Sequence, residues 1–273
     1  FGTFLISVTF LHKYRENKTL DEGVQVLPVK IITWNVNGLK AINKKGALGN
    51  VLKYDVVMLQ EIRTADLPLD LLLSGLTVAS FPAKKKGYSG VMSITRFKPL
   101  NVIKGLNVQE FDEEGRVLTL EFEKVYLINT YFPRAGDELK RLDFKLKFDK
   151  TIEDFMKKLR ERKPIIICGD FNAVRDRKDS SFWDEKEPGL TPQEREWLNH
   201  VVNDLGFIDA YKFINPNKNE FTWRSYRFKW KAMRIDYCLV SEELKDLIKD
   251  CKVLNTEGSD HYPLILELNV ETL

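Results

Sequence analysis

Short apolar runs, bounded by Gly, Pro, Asn or Asp, recur along the chain and predict strands over 29–34, 55–59, 75–82, 90–95 and 117–122. Further runs predict strands over 125–132, 164–168, 221–223, 234–240, 252–254 and 262–270. The runs 117–122 and 125–132 alternate well and are separated by Glu123 and Lys124, a hairpin signal. Residues 39–53 predict a short basic amphipathic helix. Leu139, Leu142, Leu146, Ile152, Phe155 and Leu159 form an apolar stripe near helical spacing and predict a long helix over 137–161, stopped by Pro164. Thr191-Pro192-Gln193-Glu194 combines a capping Thr, a Pro at the first helical position and a capping-box Glu. That helix should run to about Leu205 and end at Gly206, with another helix near 242–249.

Strands outnumber helices, and hairpins mix with crossovers. No Pro/Gly/Ser linker divides the chain, and there is no short repeat. The pattern implies one α/β domain, two sheets packed face to face with helices outside, over residues 29–273. The chain starts at Phe1 and its first Met is Met58. The apolar run 4–11 is too short to span a bilayer and lacks a small-residue cleavage site. Residues 1–28 are expected to be an extension outside the catalytic fold, an extra strand being the alternative.

A net charge of +3 over 273 residues implies nothing by itself. Its distribution does. Lys212, Lys218, Arg224, Arg227, Lys229, Lys231 and Arg234 are opposed only by Glu220, and Phe221, Trp223, Tyr226, Phe228 and Trp230 interleave with them. Such a segment suits a phosphate backbone with bases or sugars beside it, or else forms a solvated hairpin. Lys84-Lys85-Lys86 with Tyr88 offers a smaller basic turn. Cys168, Cys238 and Cys251 lie among apolar residues and read as small hydrophobes in a reducing, intracellular compartment, the bacterial cytoplasm or a nucleus. No Cys/His cluster suggests zinc.

The chemistry-bearing residues sit at strand ends. Gly169-Asp170-Phe171-Asn172 follows one apolar run, and alternate residues of a strand share a face, so it delivers an acid and an amide to one edge. Gly258-Ser259-Asp260-His261 adds a second acid and an imidazole beside another strand. Glu61 ends a third strand, with Asn35 and Asn37 as neighbours for a hard divalent cation. Asp236 is a candidate partner for His261, and Tyr131 could offer its hydroxyl to a phosphate. Each residue also has an ordinary reading: a solvated acid, a Gly-Asp-Asn turn, an Asp–His loop bond, a tyrosine packed with its polar tip outward. Taken together, two acids, an amide and a histidine suit metal-assisted attack on a phosphodiester.

Eight segments then match one family in order. They are Thr33-Trp34-Asn35-Val36-Asn37-Gly38-Leu39, Leu59-Gln60-Glu61, Lys86-Gly87-Tyr88-Ser89-Gly90-Val91 and Asn129-Thr130-Tyr131-Phe132-Pro133. Next come Gly169-Asp170-Phe171-Asn172, Thr191-Pro192-Gln193-Glu194-Arg195, Arg234-Ile235-Asp236-Tyr237 and Gly258-Ser259-Asp260-His261. The chain resembles the exonuclease III type apurinic/apyrimidinic endonucleases of the endonuclease/exonuclease/phosphatase superfamily, over about 30–268. The resemblance implies a four-layer, DNase I-like α/β sandwich. It implies Mg²⁺-dependent hydrolysis 5′ to abasic sites in double-stranded DNA by a monomer, with Mn²⁺ as the alternative ion. It implies that Glu61 binds the metal with Asn35, Asn37 and Asp260 around it. By the same resemblance Asp170 activates water, Asn172 orients it, Tyr131 and His261 contact the scissile phosphate, and Asp236 orients His261. Lys40, Lys44 and Lys45 would hold phosphates, Tyr88 would approach the minor groove, and Trp223 and Ile235 would line a pocket for a flipped abasic sugar.

The chain also departs from the family pattern. Arg134 follows Tyr-Phe-Pro where Asn or Gln is usual; it can clamp phosphate but cannot accept a hydrogen bond. Asp184-Glu185-Lys186-Glu187 replaces phosphate-binding asparagines with carboxylates expected to repel phosphate. Met233 stands where a Trp or Leu is usual in the pocket, and the 224–233 loop is short. The alternatives are a nuclease of the same fold acting on deaminated bases or undamaged DNA, a phosphatase of the superfamily, and a catalytically weak DNA-binding module. The abundance of cations at Arg227, Lys229 and Lys231 favours nucleic acid over a phosphorylated lipid.

Overall fold

The computed structural model describes residues 27–273, so the expectation for the first 28 residues lies almost wholly outside the described residues. One six-stranded mixed sheet has the order β13-β14-β1-β2-β4-β3. Its strands are β1 (Val29–Asn35), β2 (Val56–Gln60), β3 (Thr77–Phe81), β4 (Val91–Thr95), β13 (Ile248–Val253) and β14 (Leu264–Leu268). The other has the order β5-β6-β7-β8-β12-β9. It consists of β5 (Asn101–Lys104), β6 (Val117–Glu121), β7 (Tyr126–Tyr131), β8 (Ile165–Asp170), β9 (Phe207–Asp209) and β12 (Asp236–Ser241). A two-stranded ribbon, β10 (Trp223–Arg224) with β11 (Ala232–Met233), projects beside them.

Strand alternation divides the side chains between layers. Ile31, Val56, Met58, Leu127, Ile166, Cys168 and Leu266 fill the space between the sheets. Their neighbours Ile32, Trp34, Val57 and Leu59 pack against two short helices, α1 (Leu39–Lys44) and α2 (Ala47–Val51). Ile128, Ile165, Ile167 and Leu239 pack against the helices Leu142–Arg160 and Pro192–Asn203. The result is the expected four-layer sandwich with helices outside two facing sheets.

Several local expectations change. The single helix expected over 39–53 is two, because Gly46 adopts φ +75° between them. The long helix begins at Leu142; a 3₁₀ turn, Asp137–Leu139, precedes it and contains Glu138 at φ +55°. The expected helix near 242–249 is the 3₁₀ segment Glu242–Leu247, and β13 starts at Ile248, earlier than read. The edge strands β5 and β9 lack a clear apolar alternation and were not expected. Thr191 caps its helix as read: its hydroxyl oxygen accepts from the Glu194 amide, and Glu194 Oε2 accepts from the Gly189 amide at 2.9 Å.

Candidate active site

Topology brings the strand ends to one rim. The parallel pairs β1–β2 and β7–β8 place Asn35, Glu61, Tyr131 and Asp170 at the same end of the sandwich. The antiparallel neighbours contribute their starts: β12 opens with Asp236, and β14 is preceded by His261. Asp170 is the register partner of both Tyr131 and Asp236. Beneath the rim, Asn129 ties the sheets together, accepting from Gln60 Nε2 at 2.8 Å and donating to the Met92 carbonyl at 2.8 Å. Gly169 permits the close approach, since a Cβ there would stand 1.8 Å from the Thr130 carbonyl oxygen.

A chain of hydrogen bonds and one longer ion-pair contact crosses the rim. His261 Nδ1 lies 2.9 Å from Asp236 Oδ2, and its Nε2 is 3.6 Å from Asp170 Oδ2. Asp170 is buried and accepts from Asn35 Nδ2 at 3.0 Å and from the Asn172 amide at 2.9 Å. Burial, and then the Asp236 charge, raise the Asp170 carboxyl to about 7 against the opposing pull of His261 and Asn35. Burial alone would favour neutral His261, but Asp236 and Asp170 outweigh it and raise the imidazole to about 10. The imidazolium therefore persists at neutral pH beside a carboxylate poised between its two protonation states. The loop that carries His261 is fixed from several sides. Trp34 Nε1 donates to the His261 carbonyl at 2.9 Å, and Ser259 Oγ donates to the Asn35 carbonyl at 2.7 Å.

A second group centres on Glu61, which adopts φ +50°. The Tyr131 hydroxyl donates to its Oε1, and Arg63 Nη2 donates to its Oε2 at 2.9 Å. Burial raises the Glu61 carboxyl, but Tyr131, His261, Arg63 and Asn35 prevail and hold it below the usual range. Burial and the neighbouring Glu61 charge push the Tyr131 hydroxyl far up, so it stays protonated. Asn37, at φ +49°, donates its amide to Asn35 Oδ1 at 3.0 Å. Asp260 stands further round the rim and accepts from Trp223 Nε1 at 3.1 Å. Among the described residues, Asp170, Asp236 and His261 have ligand atoms within 4.8 Å of one another. A protonated imidazole with both nitrogens facing carboxylates is a poor metal ligand, so that trio reads as an ion-paired acid–imidazolium group. The ionised Glu61 and its neighbouring amide oxygens suit a hard divalent cation better.

The predicted periphery is partly gathered. Met233 and Ile235 join Val174 and Leu190 in one buried apolar cluster, with Trp223, Phe182 and Trp183 packed at its edge. Asn172 Nδ2 donates to the Phe132 carbonyl at 2.7 Å, which anchors its side chain beside Asp170. Lys40, Lys44 and Lys45 are exposed on α1 and just after it; Lys40 pairs with Asp66 at 2.8 Å and Lys45 donates to the Gly258 carbonyl at 3.1 Å. Arg134 is exposed and pairs with Asp137. The Tyr88 hydroxyl is held inward, accepting from Arg116 at 3.0 Å and Arg141 at 2.9 Å. The acids of 184–187 are partly neutralised: Glu185 faces Arg195 at 3.3 Å and Glu187 faces Lys231 at 3.6 Å. The repulsion of phosphate expected there is correspondingly reduced.

Arg116 was not singled out in the sequence. It is buried, donates to the Tyr131 carbonyl at 3.0 Å and lies 4.9 Å from the centre of the Tyr131 ring. Arg63, whose side chain reaches back to Glu61, was also missed because its left-handed backbone at φ +57° is not legible locally.

Residues 32–261 match the endonuclease/exonuclease/phosphatase family. The chain belongs to that family. A Bacillus subtilis exodeoxyribonuclease is 36% identical, the match covering 89% of this chain and 100% of the relative. A Dictyostelium discoideum DNA-(apurinic or apyrimidinic site) endonuclease is 36% identical over 92% of this chain and 74% of its own length. Among solved structures, the 3′ phosphatase NExo from Neisseria, bound to a product DNA hairpin, has a TM-score of 0.79 at 26% identity, covering 88% of this chain and 99% of that one. An AP endonuclease from Leishmania major has a TM-score of 0.79 at 25% identity, covering 92% of this chain and 91% of the other. Among the described residues no helix is long and apolar enough to cross a membrane.

Proposed function

We propose that this family member is a DNA-repair nuclease, a phosphodiester hydrolase that cuts double-stranded DNA 5′ to abasic sites. Its products are a 3′-hydroxyl and a 5′-deoxyribose phosphate. The same centre would serve 3′→5′ exonuclease or 3′-end cleaning, which the neighbouring Neisseria 3′ phosphatase favours. The observation that carries the reading is the Asp236–His261–Asp170 group beside an ionised Glu61.

Residues 29–273 form the catalytic unit in this reading, acting as a monomer. Asp170 takes a proton from the attacking water, held in orientation by Asn35 and the Asn172 amide. The side chain of Asn172 positions that water. His261 remains protonated and stabilises the negative charge that develops on phosphorus oxygens; Asp236 fixes its ring. Tyr131 donates to Glu61 or to a phosphate oxygen. Glu61, with Asn35, Asn37 and Asp260 around it, would hold Mg²⁺ or Mn²⁺; the donors are hard oxygens, which suit such an ion. When bound, the ion supplies Lewis-acid stabilisation of phosphate charge. Lys40, Lys44, Lys45, Arg134, Arg227 and Lys229 face DNA phosphates, with Tyr88 at the groove and Lys231 a weaker contact because Glu187 pairs with it. Trp223, Met233 and Ile235 receive the abasic sugar.

The test is incision of an end-labelled duplex carrying one abasic analogue, with undamaged, deoxyuridine and deoxyinosine duplexes beside it. Each is run with Mg²⁺ and with EDTA. Metal-dependent cutting at the abasic site, lost by several orders of magnitude in Asp170→Asn with DNA binding retained, is expected. Cutting chiefly of another duplex would move the substrate assignment, and near-normal cleavage by Asp170→Asn would sink the mechanism.

A further inference from the structure

The ribbon β10–β11 carries a group of rings that the hydrolytic chemistry leaves unused. Trp230 is 61% exposed, Tyr226 63% and Phe228 42%, a large apolar display for one short turn. The turn is held in shape. Arg224 Nη1 donates to the Lys229 carbonyl at 2.7 Å, the Phe228 amide donates to Ser225 Oγ at 3.0 Å, and the Lys231 amide donates to the Phe228 carbonyl at 2.7 Å. Ser181 clasps the far side, its amide donating to the Ala232 carbonyl at 2.9 Å and its hydroxyl to the Trp230 carbonyl at 2.5 Å. Phe182 meets Trp230 edge-on at 6.0 Å, which orients the indole.

The rings are surrounded by positive charge. Lys231 Nζ lies 4.8 Å from the centre of Phe182, 5.4 Å from Trp230 and 5.6 Å from Phe228. Arg227 packs 5.0 Å from the centre of Phe228, and Lys229 is exposed beside them. Exposed ring faces amid cations complement a ligand that is flat, aromatic and attached to phosphate.

The ribbon is also tied to the reaction centre. The Arg224 amide donates to the Asp260 carbonyl at 3.0 Å, the Tyr262 amide donates to the Thr222 carbonyl at 2.7 Å, and Trp223 bridges to His261. The foot of the ribbon is thus fixed against the loop that carries Asp260 and His261, and the rings extend from that foot.

We propose that Tyr226 and Trp230 form a stacking subsite for an unpaired nucleobase beside the scissile phosphate, selecting substrates whose flanking pair is open or mismatched. A base inside a continuous duplex has both faces covered by its neighbours, so it cannot use the rings; an unpaired base can. The inference deepens the nuclease reading and rests on it for the identity of the scissile bond.

The experiment compares two duplexes with the same abasic analogue. One is fully paired around it; in the other the adjacent base is mismatched. The ratio of kcat/KM, mismatched over paired, is measured for the wild type and for the Tyr226→Ala/Trp230→Ala double variant. Stacking makes that ratio fall by about tenfold to a hundredfold in the double variant. Restoring one ring as Trp230→Phe, in the Tyr226→Ala background, recovers part of it. An unchanged ratio, or equal losses on both duplexes, overturns the subsite. A second arm uses no cleavage: in EDTA, a single-stranded oligonucleotide containing 2-aminopurine is titrated with each protein. Quenching by the wild type that is lost in the double variant supports stacking, and equal quenching refutes it. Failure of the wild type to cut either duplex would remove the nuclease reading while this arm still decides the subsite.

Discussion

Asp170 and Asp236 are register partners on adjacent antiparallel strands, and His261 bridges them, its Nδ1 2.9 Å from Asp236 and its Nε2 3.6 Å from Asp170. Two buried carboxylates side by side would repel each other strongly in a site of low polarity. One imidazolium between them makes the arrangement tenable and fixes which ring nitrogen faces the reaction. Asp236→Asn should therefore lose far more activity than its distance from substrate suggests. We expect kcat to fall by about two to four orders of magnitude, by analogy with acid–imidazole pairs in which the acid orients the ring and stabilises its imidazolium form. Adding Asp170→Asn should cost little more than the larger single loss, because the three residues act as a unit. Strictly additive losses in single-turnover incision would show that they do not.

Arg63 and a cation compete for Glu61. The guanidinium donates to Oε2 at 2.9 Å, yet its side chain is 47% exposed, so the pair is weak and easily opened. Arg63→Ala should lower the Mg²⁺ concentration that gives half-maximal incision, by roughly two- to fivefold. Glu61→Gln should raise it by about tenfold or more, since the amide brings no charge to the ion. Metal titrations of the two variants that move in the same direction would argue against Glu61 as the ligand.

The basic residues of the ribbon are not equivalent. Arg227 and Lys229 are exposed, whereas Lys231 faces Glu187 at 3.6 Å and sits among rings. Each free cation that displaces a counterion from B-form DNA adds about 0.9 to the slope of log affinity against log salt. Arg227→Gln and Lys229→Gln should each flatten that slope by about 0.9, while Lys231→Gln should change it by less than half as much. Binding isotherms across a salt series, on an abasic duplex in EDTA, give the slopes. Equal effects from all three would show that Lys231 leaves Glu187 on binding.

Much of this was legible in the sequence because strands impose a two-residue period. Once 164–168 was read as a strand, Asp170 and Asn172 followed at its end, and the apolar alternation sorted the core into its layers. The tertiary partners were less accessible, though one was within reach. The Glu123-Lys124 turn fixes the hairpin register, pairing Val117 with Thr130, and thereby sets Arg116 opposite Tyr131. Arg116 could have been placed beneath Tyr131 from the hairpin alone. The inward hold on Tyr88 could not, because Arg116 and Arg141 reach it from distant elements. The break at Gly46 was missed for a different reason: the basic and apolar positions of 39–53 fit one helix, and only the backbone conformation of one glycine divides it.

Lys145, Asp149 and Glu194 form a buried group behind the Phe132 ring, two acids around one amine. Lys145 Nζ is 3.2 Å from Asp149 and 3.7 Å from Glu194, and all three side chains are at most 1% exposed. Asp149 Oδ1 and Glu194 Oε1 make no hydrogen bond. Burial raises the Asp149 carboxyl to about 7, against the pull of Lys145 and with a further push from Glu194. The folded state thus holds that proton more tightly than the unfolded chain, whose carboxyl titrates near 3.8. Its stabilising contribution is complete below about 4 and is lost as pH rises to about 7, so stability falls across that window by up to about 4 kcal/mol. Asp149→Asn carries no such proton and leaves Lys145 with a single counter-charge. Its unfolding free energy should decline less steeply between pH 4 and 7 than that of the wild type, and at pH 8 it should be at least as stable. Asp170 and His261 titrate in both proteins, so the difference between the two denaturation series isolates Asp149. Parallel curves would mean that Asp149 is ionised throughout and that Lys145 alone sustains it.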